Sequence, residues 1–234
     1  MYYQFDFATV LRGDYLHAFI HGTLITLALF AAAWVGSIVL GAVLAIVRQS
    51  GVRGGAAAVA AYVEYHRNVP LVVQLLFWYF AAPSLFPAPL RDYLASHGSE
   101  FPLAAIALML CAAAYVSEDL RSGLRAIPRG QTEAGQALGM SYLLTMRTVI
   151  MPQALRISLP PLVNQALLLF KNTSLAMAVG VAELTYEAKE VDSSTYRTFE
   201  AFAVATVIYL AISFAIMFCG AALARRFNAA GVRR

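Results

Sequence analysis

The chain has 234 residues, 60% of them hydrophobic and only 13% charged, with a formal net charge of +4 and a mean hydropathy of +0.67. A soluble domain carries about one-quarter charged residues, so this composition excludes an ordinary water-soluble enzyme or binding module and points to lipid as the solvent. Stretches of about 20 apolar residues, the length that crosses a bilayer core, recur along the sequence and leave no room for a separate soluble domain. Residues 1–234 therefore read as one transmembrane domain.

The N-terminal stretch carries Asp6 and Asp14 against Arg12 and has no basic leader, so no cleaved signal peptide is expected. A first span is predicted over about 18–47, long enough to tilt, and it stops at Arg48-Gln49-Ser50-Gly51. Within it Ala33, Ser37, Gly41 and Ala45 recur every fourth residue, a small-residue stripe along which another helix can approach closely. A second span, about 55–82, is interrupted by Glu64-Tyr65-His66-Arg67-Asn68 ahead of Pro70, and a proline in a helical pattern forces a kink or stop. Pro83, Pro87 and Pro89 mark the loop that follows.

The third span, about 101–118, opens on Phe101-Pro102, since proline suits a first turn. A loop over about 121–156 then carries Pro128, Gly130, Gly139 and Pro152 as breakers. A fourth span, about 157–181, holds Asn164, Gln165, Lys171 and Asn172, and a fifth, about 199–224, ends at Arg225-Arg226. The expectation is an all-α integral membrane protein with five transmembrane helices and termini on opposite sides. The loops after spans one, three and five hold Arg48, Arg53, Arg121, Arg125, Arg129, Arg147, Arg156, Arg225, Arg226, Arg233 and Arg234, eleven in all; the opposite side holds Arg12, Arg91, Lys189 and Arg197, which is four. Positive charge collects on the cytoplasmic side, so the N-terminus is expected outside and the C-terminus in the cytoplasm.

Cys111 and Cys219 lie in apolar segments and read as small packing residues, and His17, His21, His66 and His97 lack metal-ligand spacing. No phosphate loop occurs: Gly36 to Gly41 has the glycine spacing but is followed by Ala42 inside a span. No nucleophile and base cluster that a membrane enzyme would need is found, and no nucleic-acid partner is expected.

In the large loop, Thr132 reads as an N-cap, Glu133 as an acid at the positive helix end and Gly139 as the stop. The short helix between them has very small side chains, Ala134, Gly135 and Ala137. Its spacing fits a plug seated in another protein as well as an amphipathic helix docked on its own chain. In the spans, an ionisable side chain is costly and faces a cavity or a partner. Asn164 and Lys171 share one helix face, with Gln165 and Asn172 as the adjacent stripe. These groups could meet a substrate carboxylate; equally, Lys171 could neutralise Glu118 or Asp119 while the amides hold helices together. Glu64 with Arg67, and Glu118 with Arg121, are three apart and are expected to pair internally, with Arg67 beside the pathway as the other reading.

Glu133-Ala134-Gly135, Gly139 and Val149-Ile150-Met151-Pro152 resemble the EAA loop of ABC-importer permeases. Tyr115-Val116-Ser117-Glu118, Arg121-Ser122-Gly123-Leu124, Leu159-Pro160-Pro161-Leu162 and Lys171-Asn172-Thr173-Ser174-Leu175 extend the likeness to the polar amino acid branch, as do Tyr62-Val63-Glu64 and Arg67-Asn68-Val69-Pro70. Gly135 stands where the family has a second alanine and Met151 where leucine is usual; glycine costs an exposed helix about 1 kcal/mol and predicts a looser docking helix. The resemblance implies a type I importer permease fold in the inner membrane with a cytoplasmic coupling helix made by Thr132, Glu133, Ala134, Gly135, Ala137 and Gly139. It implies no cofactor in this chain, ATP being used by a separate ABC ATPase dimer, together with a second permease copy or paralogue and an external substrate-binding protein. Asn164, Gln165, Lys171, Asn172, Arg67 and Glu118 are the substrate-path candidates. The run from Tyr62 to Pro70 and the start from Met1 to Phe7 are most similar to glutamate and aspartate permeases, and Lys171 would suit an anion, while histidine, arginine and glutamine permeases share the scaffold. An ion-coupled carrier acting alone is the rival reading.

Overall fold

Backbone amides cannot go unpaired in lipid, so long apolar stretches become helices. The computed structural model describes residues 4–232, with side chains as far as residue 226. A single turn, Phe7–Val10, precedes α1 (Gly13–Gln49). It is followed by α2 (Gly55–Asn68), α3 (Leu71–Leu85), α4 (Ala88–His97) and α5 (Glu100–Arg125). The second half comprises α6 (Arg129–Ala137), α7 (Tyr142–Val179), α8 (Leu184–Thr195) and α9 (Thr198–Val232). Four of these, α1, α5, α7 and α9, are long and apolar enough to cross a membrane, and α2 with α3 passes the same test as a pair bent by 106°.

The small-residue stripe of α1 is buried inside the chain, against α5. A Cβ on Gly41 would stand 2.9 Å from Val116 Cβ and 3.1 Å from the Ala113 carbonyl oxygen. Ala33, with Leu29, continues into a core shared with Leu75, Ala104, Ala107, Leu108 and Leu169. The stripe is therefore occupied by α5 and is not left for a second copy.

Contacts at the helix ends fix how the chain threads the bundle. At one end Thr26 Oγ1 accepts the Leu184 N–H at 3.1 Å, and the Tyr79 hydroxyl lies 3.5 Å from Glu100 Oε1. At the other, Arg48 meets Glu118, and the Ser158 hydroxyl donates to the Asp119 carbonyl oxygen at 3.2 Å. The bent pair thus starts beside the end of α1 and finishes beside the start of α5. Its elbow is at Val69-Pro70, where buried Gln74 donates from Nε2 to the carbonyl oxygens of His66 (3.1 Å) and Val69 (2.9 Å).

Two boundaries differ from the sequence reading for identifiable reasons. The fourth apolar helix begins at Tyr142 rather than near 157, because Pro152 does not break it. A wide π-type turn over Met146–Ile150 precedes the proline, and the Gln153 amide donates to the Val149 carbonyl oxygen at 2.8 Å. The third helix runs on through Arg125, since Glu118 and Arg121 satisfy each other on its surface. The loop predicted over about 121–156 is consequently mostly helical. The short helices α4 and α8 occupy stretches read as loop.

Candidate functional site

The loop helix α6 starts at Pro128, extended at φ −60°, ψ 139°, so Thr132 lies inside the helix and is not its cap. Proline fixes φ and needs no N–H partner, which makes it the better starter here. Glu133 sits past the first turn, exposed, and does not touch the helix start. The stop is as expected: Gly139 is left-handed at φ +77°, its N–H reaches the Gln136 carbonyl at 2.9 Å, and the Met140 N–H reaches that of Gly135 at 3.1 Å. This paired arrangement is a Schellman end.

Ala134 and Ala137 are exposed with Glu133, while Gly135 is buried against α7. A Cβ there would meet Thr145 Oγ1 at 2.8 Å and Thr145 Cβ at 3.3 Å. Glycine is therefore required by close packing, and the helix is held more tightly than its propensity alone suggests. Beside it Leu138 and Leu143 are 81% and 78% exposed. Large apolar side chains this exposed stand out on a protein surface.

The second feature is a cavity of about 230 Å³ among α3, α5 and α7. Leu71, Leu108, Leu168 and Leu169 wall it, and its polar lining is Tyr115, Gln165 and Asn172. Tyr115 and Asp119 share one face of α5, four residues apart, and Gln165 hydrogen-bonds the Asp119 side chain. The other carboxylate oxygen, Asp119 Oδ2, is buried without a hydrogen-bond partner among the described residues. The Arg67 guanidinium lies over the Tyr115 ring, 5.5 Å from its centre, and acts electrostatically on both Glu118 and Asp119.

Of the expected pairings, one holds with an addition and two do not form. Arg67 turns to Tyr115 and not to Glu64, whose carboxylate instead accepts from Asn68 Nδ2 at 2.9 Å. Glu118 does pair with Arg121, but Arg48 of α1 joins them, so this acid is a two-cation clamp between helices. Lys171 forms no salt bridge with Glu118 or Asp119, nor with any described acid. Of the path candidates, Gln165 and Asn172 line the cavity and Arg67 stacks on Tyr115 of its wall, while Asn164 and Lys171 are exposed on another face of α7. Tyr115, Asp119 and Arg48 were not singled out from the sequence for these roles. The four-residue spacing of Tyr115 and Asp119 in an apolar helix was the available signal.

The family described as "Binding-protein-dependent transport system inner membrane component" matches residues 37–229. The chain belongs to this family. Among its relatives in this transport family, the glutamine transport system permease protein of Escherichia coli (strain K12) is 34% identical over 225 residues, 96% of this chain and 99% of that protein. The glutamate/aspartate import permease protein of the same organism is 30% identical, over 84% of this chain and 81% of its own length. A solved structure, described as an amino acid ABC transporter with histidines, superposes with a TM-score of 0.82 at 30% identity, covering 96% of this chain and 100% of that one.

Proposed function

We propose that this chain is the permease subunit of an ATP-driven importer of polar amino acids, crossing the inner membrane five times with its N-terminus outside and C-terminus in the cytoplasm. Family membership makes it a transport subunit and not an enzyme. Five crossings follow if the bent pair α2–α3 counts as one, which its attachment to Arg48's end of α1 and, through Tyr79, to Glu100 supports. The basic loops then face the cytoplasm.

The observation that carries the substrate reading is the cavity at Tyr115, Gln165 and Asn172. Its volume, about 230 Å³, lies below the roughly 300–1,000 Å³ of drug-sized sites and suits one free amino acid. Arg67, over the ring of the lining Tyr115, is assigned as the cation for the α-carboxylate, and Asp119, hydrogen-bonded to the lining Gln165, as the acid that orients the ammonium, both from behind the cavity wall. The groups left for the side chain are amides, each able to donate and accept. This favours a glutamine-like side chain over an acidic one, since no cation lines the cavity wall itself, Lys171, one ground of the acidic lean, included.

The exposed surface of Glu133, Ala134, Ala137, Leu138 and Leu143 is assigned to a separate ATPase pair, with a binding protein delivering substrate on the other side. Such a helix transmits ATPase closure only if its contacts differ between the two ATPase states. The test is ATP hydrolysis by the reconstituted complex, with binding proteins, across a panel of amino acids. Glutamine is expected to stimulate most, and Asn172→Ala or Gln165→Ala to weaken its effect about tenfold, as loss of one buried hydrogen bond would. Stimulation by glutamate and aspartate instead of glutamine overturns the substrate reading. Ion-driven uptake without any ATPase overturns the importer reading.

A further inference from the structure

At the basic end of the bundle, where Arg48 meets Glu118, the helices α1, α5 and α7 enclose a separate cavity of about 290 Å³. Ala42, Ala45, Leu120, Leu124 and Ala154 wall it. Ile46, Met151 and Leu155 also line it and are exposed, so it opens on an apolar side. Along α1, Ile46 continues the exposed ridge of Val39 and Val43, which in a membrane-spanning helix faces hydrocarbon.

The polar groups of the lining are engaged or stand at the helix ends. The Ser158 hydroxyl donates to the Asp119 carbonyl oxygen at 3.2 Å, and that of Ser50 to the Val47 carbonyl oxygen at 2.9 Å. Gln49 and Tyr142 are exposed, at the end of α1 and the start of α7. A polar metabolite would bury its own hydrogen-bonding groups here without partners, at a cost of a few kcal/mol; a hydrocarbon chain has none to lose. Ala42 and Gln49 are seven residues apart, so the cavity follows α1 for about 10 Å. That is most of the depth of one leaflet, about 15 Å of hydrocarbon.

Positive charge surrounds this end. Arg125 follows the lining Leu124, Arg147 follows the lining Met146, and Arg53 lies three residues past Ser50. All three are exposed and form no salt bridge among the described residues, while Glu118 is taken by Arg48 and Arg121. Clustered arginines beside a membrane helix attract anionic headgroups. An apolar slot of leaflet depth, flanked by uncompensated cations at its polar end, complements a molecule with a hydrocarbon tail and a negative head.

We propose that this cavity binds one anionic phospholipid, with an acyl chain between α1 and α7 and the headgroup phosphate against Arg125 and Arg147. Met146 lines the cavity and follows Thr145, which packs on Gly135, so the lipid braces the segment that seats α6. The assignment is independent of which amino acid is carried.

Native mass spectrometry of the purified complex of the chain with its ATPase provides the test, with phosphatidylglycerol or phosphatidylcholine of the same acyl chains added at equal concentration. One phosphatidylglycerol per permease chain should be retained, and phosphatidylcholine at least tenfold less. Arg125→Gln and Arg147→Gln lie on the surface and should each weaken phosphatidylglycerol retention about fivefold. Ala42→Phe fills the cavity and should abolish it. Equal retention of the two lipids, meaning adventitious surface lipid only, overturns the proposal. So does undiminished retention in both arginine variants, or in Ala42→Phe at wild-type melting temperature. Absence of retained lipid in the wild-type complex, the result if the ATPase or another permease chain fills the cavity, overturns it as well.

Discussion

Gly135→Ala is the substitution whose outcome the geometry defines most sharply, because the family places alanine where this chain has glycine. An added methyl would stand 2.8 Å from Thr145 Oγ1, against about 3.5 Å or more for an unstrained contact. Rotating Thr145 offers little relief, since both branches of its side chain point at the site and its hydroxyl is held by the Ser141 carbonyl at 3.1 Å. The backbones of α6 and α7 must separate by several tenths of an ångström. Overpacking of this kind costs about 1–3 kcal/mol, and the gain in helix propensity returns about 1 kcal/mol. The net penalty, up to about 2 kcal/mol, corresponds to a roughly thirtyfold loss of the docked placement at about 1.4 kcal/mol per tenfold. Substrate-stimulated ATP hydrolysis by the reconstituted complex reads it, with Thr145→Ala as the compensating change in a double-mutant cycle. No interaction energy between Gly135→Ala and Thr145→Ala in the cycle refutes the close-packing account, whatever the size of the single-variant effect.

Gly22→Ala should lower the melting temperature of the purified protein far more than Gly36→Ala. The new Cβ at Gly22 meets rigid backbone, 2.9 Å from Leu184 Cα and 3.0 Å from Leu184 N, whereas at Gly36 it meets the flexible Met109 side chain. Glu118→Gln leaves Arg48 and Arg121 without their shared anion, and should cost about 2 kcal/mol of stability, read by thermal unfolding in detergent. Glu183, buried at the start of α8, accepts from the Thr185 and Tyr186 N–H groups and the Tyr209 hydroxyl, yet burial raises its pKa above the ordinary 4.5. A raised folded value means its contribution is full below 4.5 and is lost as the pH rises through that higher value. The melting temperature of wild type should therefore fall more steeply with rising pH than that of Glu183→Gln; parallel curves would remove Glu183 from the account.

The long apolar helices and the break at Pro70 were legible because length and proline are local signals. The stripe on α1 was legible as a close-approach surface, but not which helix fills it, since spacing says nothing of the partner. Leu184, Ala188 and Val191 give α8 an apolar face at helical spacing, a pattern hidden among Glu187, Lys189 and Glu190 that reads as loop. Pro152 was misread as a breaker because the turn that accommodates it depends on tertiary placement. For Glu64 and Arg67, the spacing of three offered a pair, and a ring on another helix offered Arg67 more. The cavity required three helices at once, so only its α7 side was visible in advance.

The carboxamide of Gln74 does for the elbow what a mortise does for a carpenter's joint. By taking up the His66 carbonyl, which Pro70 deprives of its amide partner, and the Val69 carbonyl beside it, it lets the bent pair turn through 106° with both carbonyls satisfied. Any movement there is expected to swivel two stiff rods about a fixed pin, and Gln74→Leu to turn that pin into a weak spot.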